Sequence, residues 1–425
     1  MTLPQNLKPS YNMLFGIAAF LFFLAVFSLD KGVVGTYYLL AIFGIYALTT
    51  KKQRKENIPK EAWRYFYITL ALVFLITLSA ALYHPDSLVR WRYAVYRDLI
   101  LLPLVFIAFS AANIKFETLY KIIVTASLIT LLWVVMILIE SPQRWHGWLW
   151  QPINRGNIGM LAGMLCLAAT IFFHDLRWKL VAGIGFLSGV FLSILSGSRG
   201  GWLAFFLVIL TLLYQISRTH KAAIKYTMAG LVAVIVISVI FWDNLPISQR
   251  IEQTVNSLQA YLAGGNKHTS IGVRFEMWRA SWHAFLENPL FGWGWNNYAQ
   301  YAAKFKELGI VDLPAKEIGH PHSQYFLFLG EMGLLGILSF VTFLLYPVQH
   351  FIRKISQFNA RADGHSAIIC ILPIIAFETI IEFCLSDDTL SQRHFMLILT
   401  VLTVWTMILI KKVKINTTHS QPATN

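Results

Sequence analysis

The sequence predicts an all-α, polytopic membrane protein of about twelve transmembrane helices, with one large helical loop on the outer side of the membrane. Three observations predict it. Of 425 residues, 56% are hydrophobic and only 13% charged, more apolar surface than a soluble core needs. The apolar residues fall into runs long enough to cross a hydrocarbon core of roughly 30 Å. Basic residues collect in short loops between the runs, so the net charge of +14 reads as topology and excludes nucleic acid as the partner.

The runs begin near residues 12, 33, 65, 98, 122, 156, 180, 202, 226, 324, 366 and 395. They divide the chain into a first membrane block (1–242), a loop (243–323), a second membrane block (324–415) and a tail (416–425). Met1 to Tyr11 is polar and the run after it has no small-residue cleavage site, so the first helix is expected to stay. The fourth run, Asp98 to Ala112, is short and has polar ends. Loops such as Lys51 to Lys55, Arg218 to Lys225 and Arg353 to Arg361, with both tails, carry about 20 of the 35 basic residues, which puts both termini in the cytoplasm. The other basic residues sit on the outer side, where positive charge against the topological bias suits an anion. Cys166, Cys370 and Cys384 lie in apolar runs and suggest neither a disulfide nor a thiolate metal site.

The loop after Asp243 is far longer than the other connections, and loops of that length are usually functional or disordered. It is not low-complexity. Ile247, Ile251, Val255, Leu258 and Leu262 recur at helical spacing and Gly264-Gly265 ends them, which predicts a first surface helix. A second is predicted from a Thr269 or Ser270 cap to Asn288-Pro289, with Phe275, Trp278, Trp282 and Phe285 widening an apolar face suited to the membrane interface. A third is predicted over Asn297 to Leu308. No internal repeat has convincing register.

Several residues could carry chemistry. Ser196-Gly197-Ser198-Arg199-Gly200-Gly201 joins two spans, and an Arg among glycines at a helix start can hold a phosphate; a tight turn with a snorkelling Arg reads equally well. Arg250 and Arg274 lie near the starts of the first two surface helices, and guanidinium groups there could neutralise a pyrophosphate leaving group. Arg279 and the group Arg90, Arg92 and Arg97 are further candidates, with lipid-facing Arg the bland alternative. Gly319-His320-Pro321-His322-Ser323-Gln324 closes the loop, and a His there can take a proton from a sugar hydroxyl. The His-x-His spacing permits a metal, but no neighbouring cluster of carboxylates is expected to complete it, so no metal is assigned. Glu331, Glu378 and Glu382 fall inside spans, where an acid marks function or pairs with a base. Asp387-Asp388 in a short outer loop reads as easily as a solvated turn.

These residues resemble the O-antigen ligase family, which shares its core with O-antigen polymerases. Arg199-Gly200-Gly201-Trp202-Leu203 matches the family's Arg-x3-Leu motif, and His322-Ser323 with Gly333 and Gly336 matches its His-Ser, nine residues, Gly-x-x-Gly motif. Thr269 to Arg274 and Glu287 to Gly294 are similar to the family's loop. The likeness runs from about Leu195 to Leu338 and is topological elsewhere. Each motif is weak alone; both together, flanking one outer loop, are specific.

The resemblance implies a glycosyltransferase of the Gram-negative inner membrane that joins a polysaccharide carried on undecaprenyl pyrophosphate to the lipid A core, at the periplasmic face, with no cofactor and no metal. Arg199 and Arg274 match arginines that contact the pyrophosphate, Arg250 matches less closely, and His322 matches the residue proposed to activate the acceptor. A direct displacement would invert the anomeric centre. Rival readings are an O-antigen polymerase, a protein-directed oligosaccharide transferase, and a lipid-linked glycan transporter or flippase that would use the intramembrane glutamates for coupling. No paired halves with broken helices support the last.

Overall fold

A computed structural model describes residues 7–28, 32–50, 58–83, 95–140, 152–196, 202–219, 246–314, 319–360 and 364–419. Their regular structure is entirely helical, and among them nine helices are long and apolar enough to cross a membrane. The chain is an all-α polytopic membrane protein.

The first block contains α1 (Leu7–Ser28), α2 (Gly32–Thr50) and α3 (Lys60–Tyr83). The short fourth run expected over Asp98 to Ala112 forms as a 3-10 turn over Asp98–Leu101 that leads into α4 (Leu102–Ala111). Its polar start is buried in protein. Tyr38 donates to Asp98 Oδ1 at 2.8 Å, and Arg97 and Arg393 face the same carboxylate at 3.7 Å. Then come α5 (Phe116–Glu140), α6 (Pro152–Phe172), α7 (Leu176–Leu195) and α8 (Trp202–Thr219). α6 and α7 pack backbone to backbone; a Cβ on Gly159 would lie 2.9 Å from Leu192 Cβ and 3.0 Å from Gly189 O, so small residues set this contact. The expected span near residue 226 lies outside the described residues.

The three surface helices form where their signals lie, as α9 (Pro246–Leu262), α10 (Ser270–Glu287) and α11 (Tyr298–Glu307). Proline opens α9, where its missing N–H has no partner to lose, and Gly264 beyond its end adopts φ +73°. Thr269 caps α10 by accepting from Gly272 N–H at 3.1 Å. Val273, Met277, Ala280 and Ala284 of α10 close a second, smaller core with Tyr298, Tyr301, Ala302 and Phe305 of α11. Leu327 of the next span completes it, so the loop sits on the membrane block through shared apolar surface.

α12 (Gln324–Asn359) breaks at Gly333, which has φ 61° and ψ −155°. A broken helix strands carbonyls before the break and amides after it. The segment after α10 takes up both. Trp293 and Gly294 N–H donate to Gly330 O (2.9 Å) and Glu331 O (2.8 Å), while Leu334 and Leu335 N–H donate to Pro289 O (2.8 Å) and Leu290 O (3.2 Å). The backbones are close enough that a Cβ on Gly333 would lie 2.7 Å from Gly292 N. The Glu331 carboxylate accepts from the N–H groups of Asn296 (2.9 Å) and Tyr298 (3.0 Å). The chain ends in α13 (Gly364–Ile369), α14 (Ile371–Ser386), a 3-10 turn over Thr389–Ser391 and α15 (Arg393–His419), whose described span is almost wholly buried.

Candidate active site

The start of α12 and the end of α14 are stitched together. Gln324 N–H donates to Asp387 O (3.2 Å), Ser323 Oγ to Cys384 O (3.3 Å), Tyr325 OH to Ile381 O (3.0 Å) and Leu390 N–H to Gln324 Oε1 (3.0 Å). This stitching brings the two histidines onto the two aspartates. His322 Nδ1 lies 3.2 Å from Asp387 Oδ1, and His320 Nδ1 lies 3.7 Å from Asp388 Oδ1. The imidazole centroids are 4.1 Å apart.

Two expectations are corrected here. Asp387 and Asp388 are only 1% and 4% exposed, so they do not form a solvated turn. The histidines also do not lack carboxylates: the partner of His322 comes from 65 residues away, delivered by a helix pair that no local pattern reveals. The signal that could have found it is brevity, since so few residues between Ser386 and Arg393 must lie against the helix ends beside them.

His322 has φ 47°, a left-handed conformation that costs a non-glycine residue energy and persists only where its surroundings impose it. Here α12 starts immediately after, and the His322 N–H points at His320 Nδ1 at 3.4 Å. The ligand atoms of His320, His322 and Asp387 lie within 4.8 Å of one another, a set able to hold a metal ion. The same geometry orients an imidazole: a carboxylate only accepts, so His322 Nδ1–H donates to it and Nε2 is left as the basic nitrogen. A metal on Nδ1 would take the place of that hydrogen bond.

Of the arginines, Arg274 is described on α10 and half-buried. Trp278, four residues on and so on the same helix face, donates its indole N–H to Pro321 O at 3.0 Å and stacks on Phe326 at 5.0 Å. The Arg274 face of α10 therefore docks against the segment carrying both histidines. Arg279 is engaged otherwise, donating to Glu276 Oε1 (2.9 Å) and Ile310 O (2.8 Å). Fully buried Glu276 also accepts from Tyr261 OH (2.8 Å) and Asp312 N–H (2.7 Å), so this cluster ties the surface helices together. Arg250 lies on α9, but its side chain is outside the described residues, as are Arg90, Arg92 and Arg199 altogether. Arg97 is half-exposed beside Asp98.

Neither intramembrane glutamate of α14 pairs with a base among the described residues. Glu378 accepts from Thr211 Oγ1 at 2.7 Å, and Glu382 accepts from the Ala204 N–H at the start of α8. Arg393, which opens α15 directly after the Asp387 segment, is a cation that the motif search missed.

Residues 184–341 match the family model described as O-Antigen ligase, a stretch that takes in the Arg199 motif, the surface helices and the His322 motif. Over 383 residues the chain is 26% identical to an uncharacterized protein of Haemophilus influenzae, covering 88% of this chain and 92% of that protein.

Proposed function

We propose, from the match of residues 184–341 to the O-antigen ligase family, that this membrane protein is an O-antigen ligase, joining an undecaprenyl-pyrophosphate-linked polysaccharide to the lipid A core at the periplasmic face of the inner membrane. The observation that carries the reading is the His322–Asp387 pair, held at the foot of the large loop beside the Arg274 face of α10.

In this reading Asp387 fixes the tautomer and direction of His322 and favours the imidazolium that forms. His322 Nε2 takes the proton of an acceptor sugar hydroxyl. The freed oxygen bonds to the donor's anomeric carbon, the bond from that carbon to the phosphate oxygen breaks, and its electron pair leaves with the lipid pyrophosphate. Inversion at the anomeric centre follows from the single displacement. Arg274, with Arg199 and Arg250, neutralises the departing diphosphate, a better leaving group than an alkoxide, so no cation is required. The positive-inside bias supports cytoplasmic termini and a periplasmic loop.

The experiment is reconstitution of the purified protein with lipid-linked polysaccharide and core glycolipid. Transfer that depends on both substrates is expected; lengthening of the lipid-linked chain without capping of the glycolipid would make the protein a polymerase. A null strain separates the same pair: a ligase leaves no capped glycolipid, a polymerase leaves glycolipid capped with a single repeat.

A further inference from the structure

The first turns of α6 hold two buried asparagines with side-chain atoms that meet no hydrogen-bond partner among the described residues. Asn157 is fully buried and neither its Nδ2 nor its Oδ1 has a hydrogen-bond partner; Asn154, 5% exposed, has no partner for Oδ1. The two are three residues apart, hence on one face of the helix. Arg155, 8% exposed, stands between them. α6 packs against α7, α8 and α14. At this level the α7 backbone is close, since a Cβ on Gly159 would lie 3.3 Å from Ser193 N, and Ser193 Oγ is also buried without a partner. On α14, Glu382 holds Ala204 N–H with one oxygen and leaves Oε2 unpartnered. The start of α6 lies beside the end of α7, where Gly159 faces Leu192 and Ser193, and Glu382 of the same α14 that ends before Asp387 meets the start of α8 at Ala204.

Buried amides almost always have partners. An amide with both ends open is built for a ligand that offers acceptors and donors side by side. A sugar bonded to a diphosphate offers both: phosphate oxygens for Nδ2–H, and hydroxyl or acetamido hydrogens for Oδ1. A permanent cation in the same turn adds charge for the phosphate.

Resting on the function proposed above, we infer that Asn154 and Asn157, with Arg155, form the subsite for the sugar–diphosphate junction of the lipid-linked donor. The subsite reads the donor alone and takes no part in moving the proton.

The test uses the full-length protein in nanodiscs, with undecaprenyl pyrophosphate carrying one N-acetylhexosamine as probe and undecaprenyl monophosphate as control. Asn157→Leu keeps the branched outline of the side chain and removes the open amide. Its affinity for the probe should fall about tenfold or more, while the ligand-free melting temperature holds or rises, which removal of a structural hydrogen bond would not allow. Asn154→Leu and the milder Asn157→Ser repeat the measurement should Asn157→Leu fail to fold. His322→Ala should bind the probe as wild type does while its transfer rate falls. Binding by Asn157→Leu and Asn154→Leu within twofold of wild type overturns the subsite alone. Weaker binding matched by a melting temperature several degrees lower also overturns it, because the amides would then be structural. Failure of the wild-type protein to prefer the probe over the monophosphate overturns the subsite together with the function it rests on.

Discussion

The direction of the His322 side chain is set twice, once by a left-handed backbone at φ 47° and once by the Asp387 carboxylate 3.2 Å from Nδ1. As the base proposed above, His322 would lose most of its use if either constraint went. His322→Ala should lower the transfer rate by about 10²-fold to 10⁴-fold, the range of a positioned proton acceptor. Asp387→Asn keeps the shape but favours the wrong tautomer, so a loss of about 10²-fold is expected in the turnover number, with little change in donor affinity. An unchanged turnover number in Asp387→Asn would remove Asp387 from the mechanism. His322 and its motif partners are legible in the sequence because they are near neighbours there. Asp387 is not, because its role exists only once α12 and α14 pack.

Among the elements, the α9–α10 pair is pH-sensitive through Glu276. Burial pushes its carboxyl up, but hydrogen bonds from Asp312 N–H, Tyr261 and Arg279 outweigh that and hold it below its ordinary 4.5. A carboxylate held low contributes stability above the unfolded value and loses it as pH falls through the folded one. The protection of α9 and α10 amides, measured relative to intrinsic exchange at each pH, should therefore fall below about pH 4.5, and Glu276→Gln should flatten that dependence while costing about 2 kcal/mol at neutral pH. Protection that stays constant between pH 6 and 3 would show the cluster to be inert. At the break in α12, Gly333→Ala should lower stability by about 1–3 kcal/mol, because φ 61° is strained for alanine and the Gly292 backbone leaves no room for a Cβ. A thermal melt of the purified protein measures it. The sequence marks Gly333 and Gly336 as a motif, but the reason for the glycine lies in a segment some forty residues earlier, so spacing alone could not supply it.

For the whole molecule, hydrophobic runs predict the helices well because a bilayer forces each span to satisfy its own backbone. The short fourth run, α4, tolerates its polar start for a tertiary reason: buried Asp98 is met by the Tyr38 and Arg393 side chains of two other helices. Two measurements act at this scale. Cysteines placed at Gln259 on α9 and at Gln357 on α12 should be labelled by impermeant reagents from opposite sides, the first in intact spheroplasts and the second after lysis only; labelling of the second in intact spheroplasts and of the first after lysis only would invert the topology, and labelling of both from outside would rule out the predicted arrangement. Chelator should leave transfer unchanged, and a loss restored by a divalent ion would reassign His320, His322 and Asp387 to a metal.

The backbone exchange between Pro289–Gly294 and Gly330–Leu335 has a consequence for how such proteins can be recombined. Anyone grafting the outer segment of a relative onto this bundle, to change which glycan is accepted, would cut between two halves of a single hydrogen-bonded joint. A donor segment that stops at residue 323 should arrive with its amides and carbonyls unmatched, whereas one carried through Leu338 brings its own socket. Swaps with the later seam should express and fold, and those with the earlier seam should be degraded.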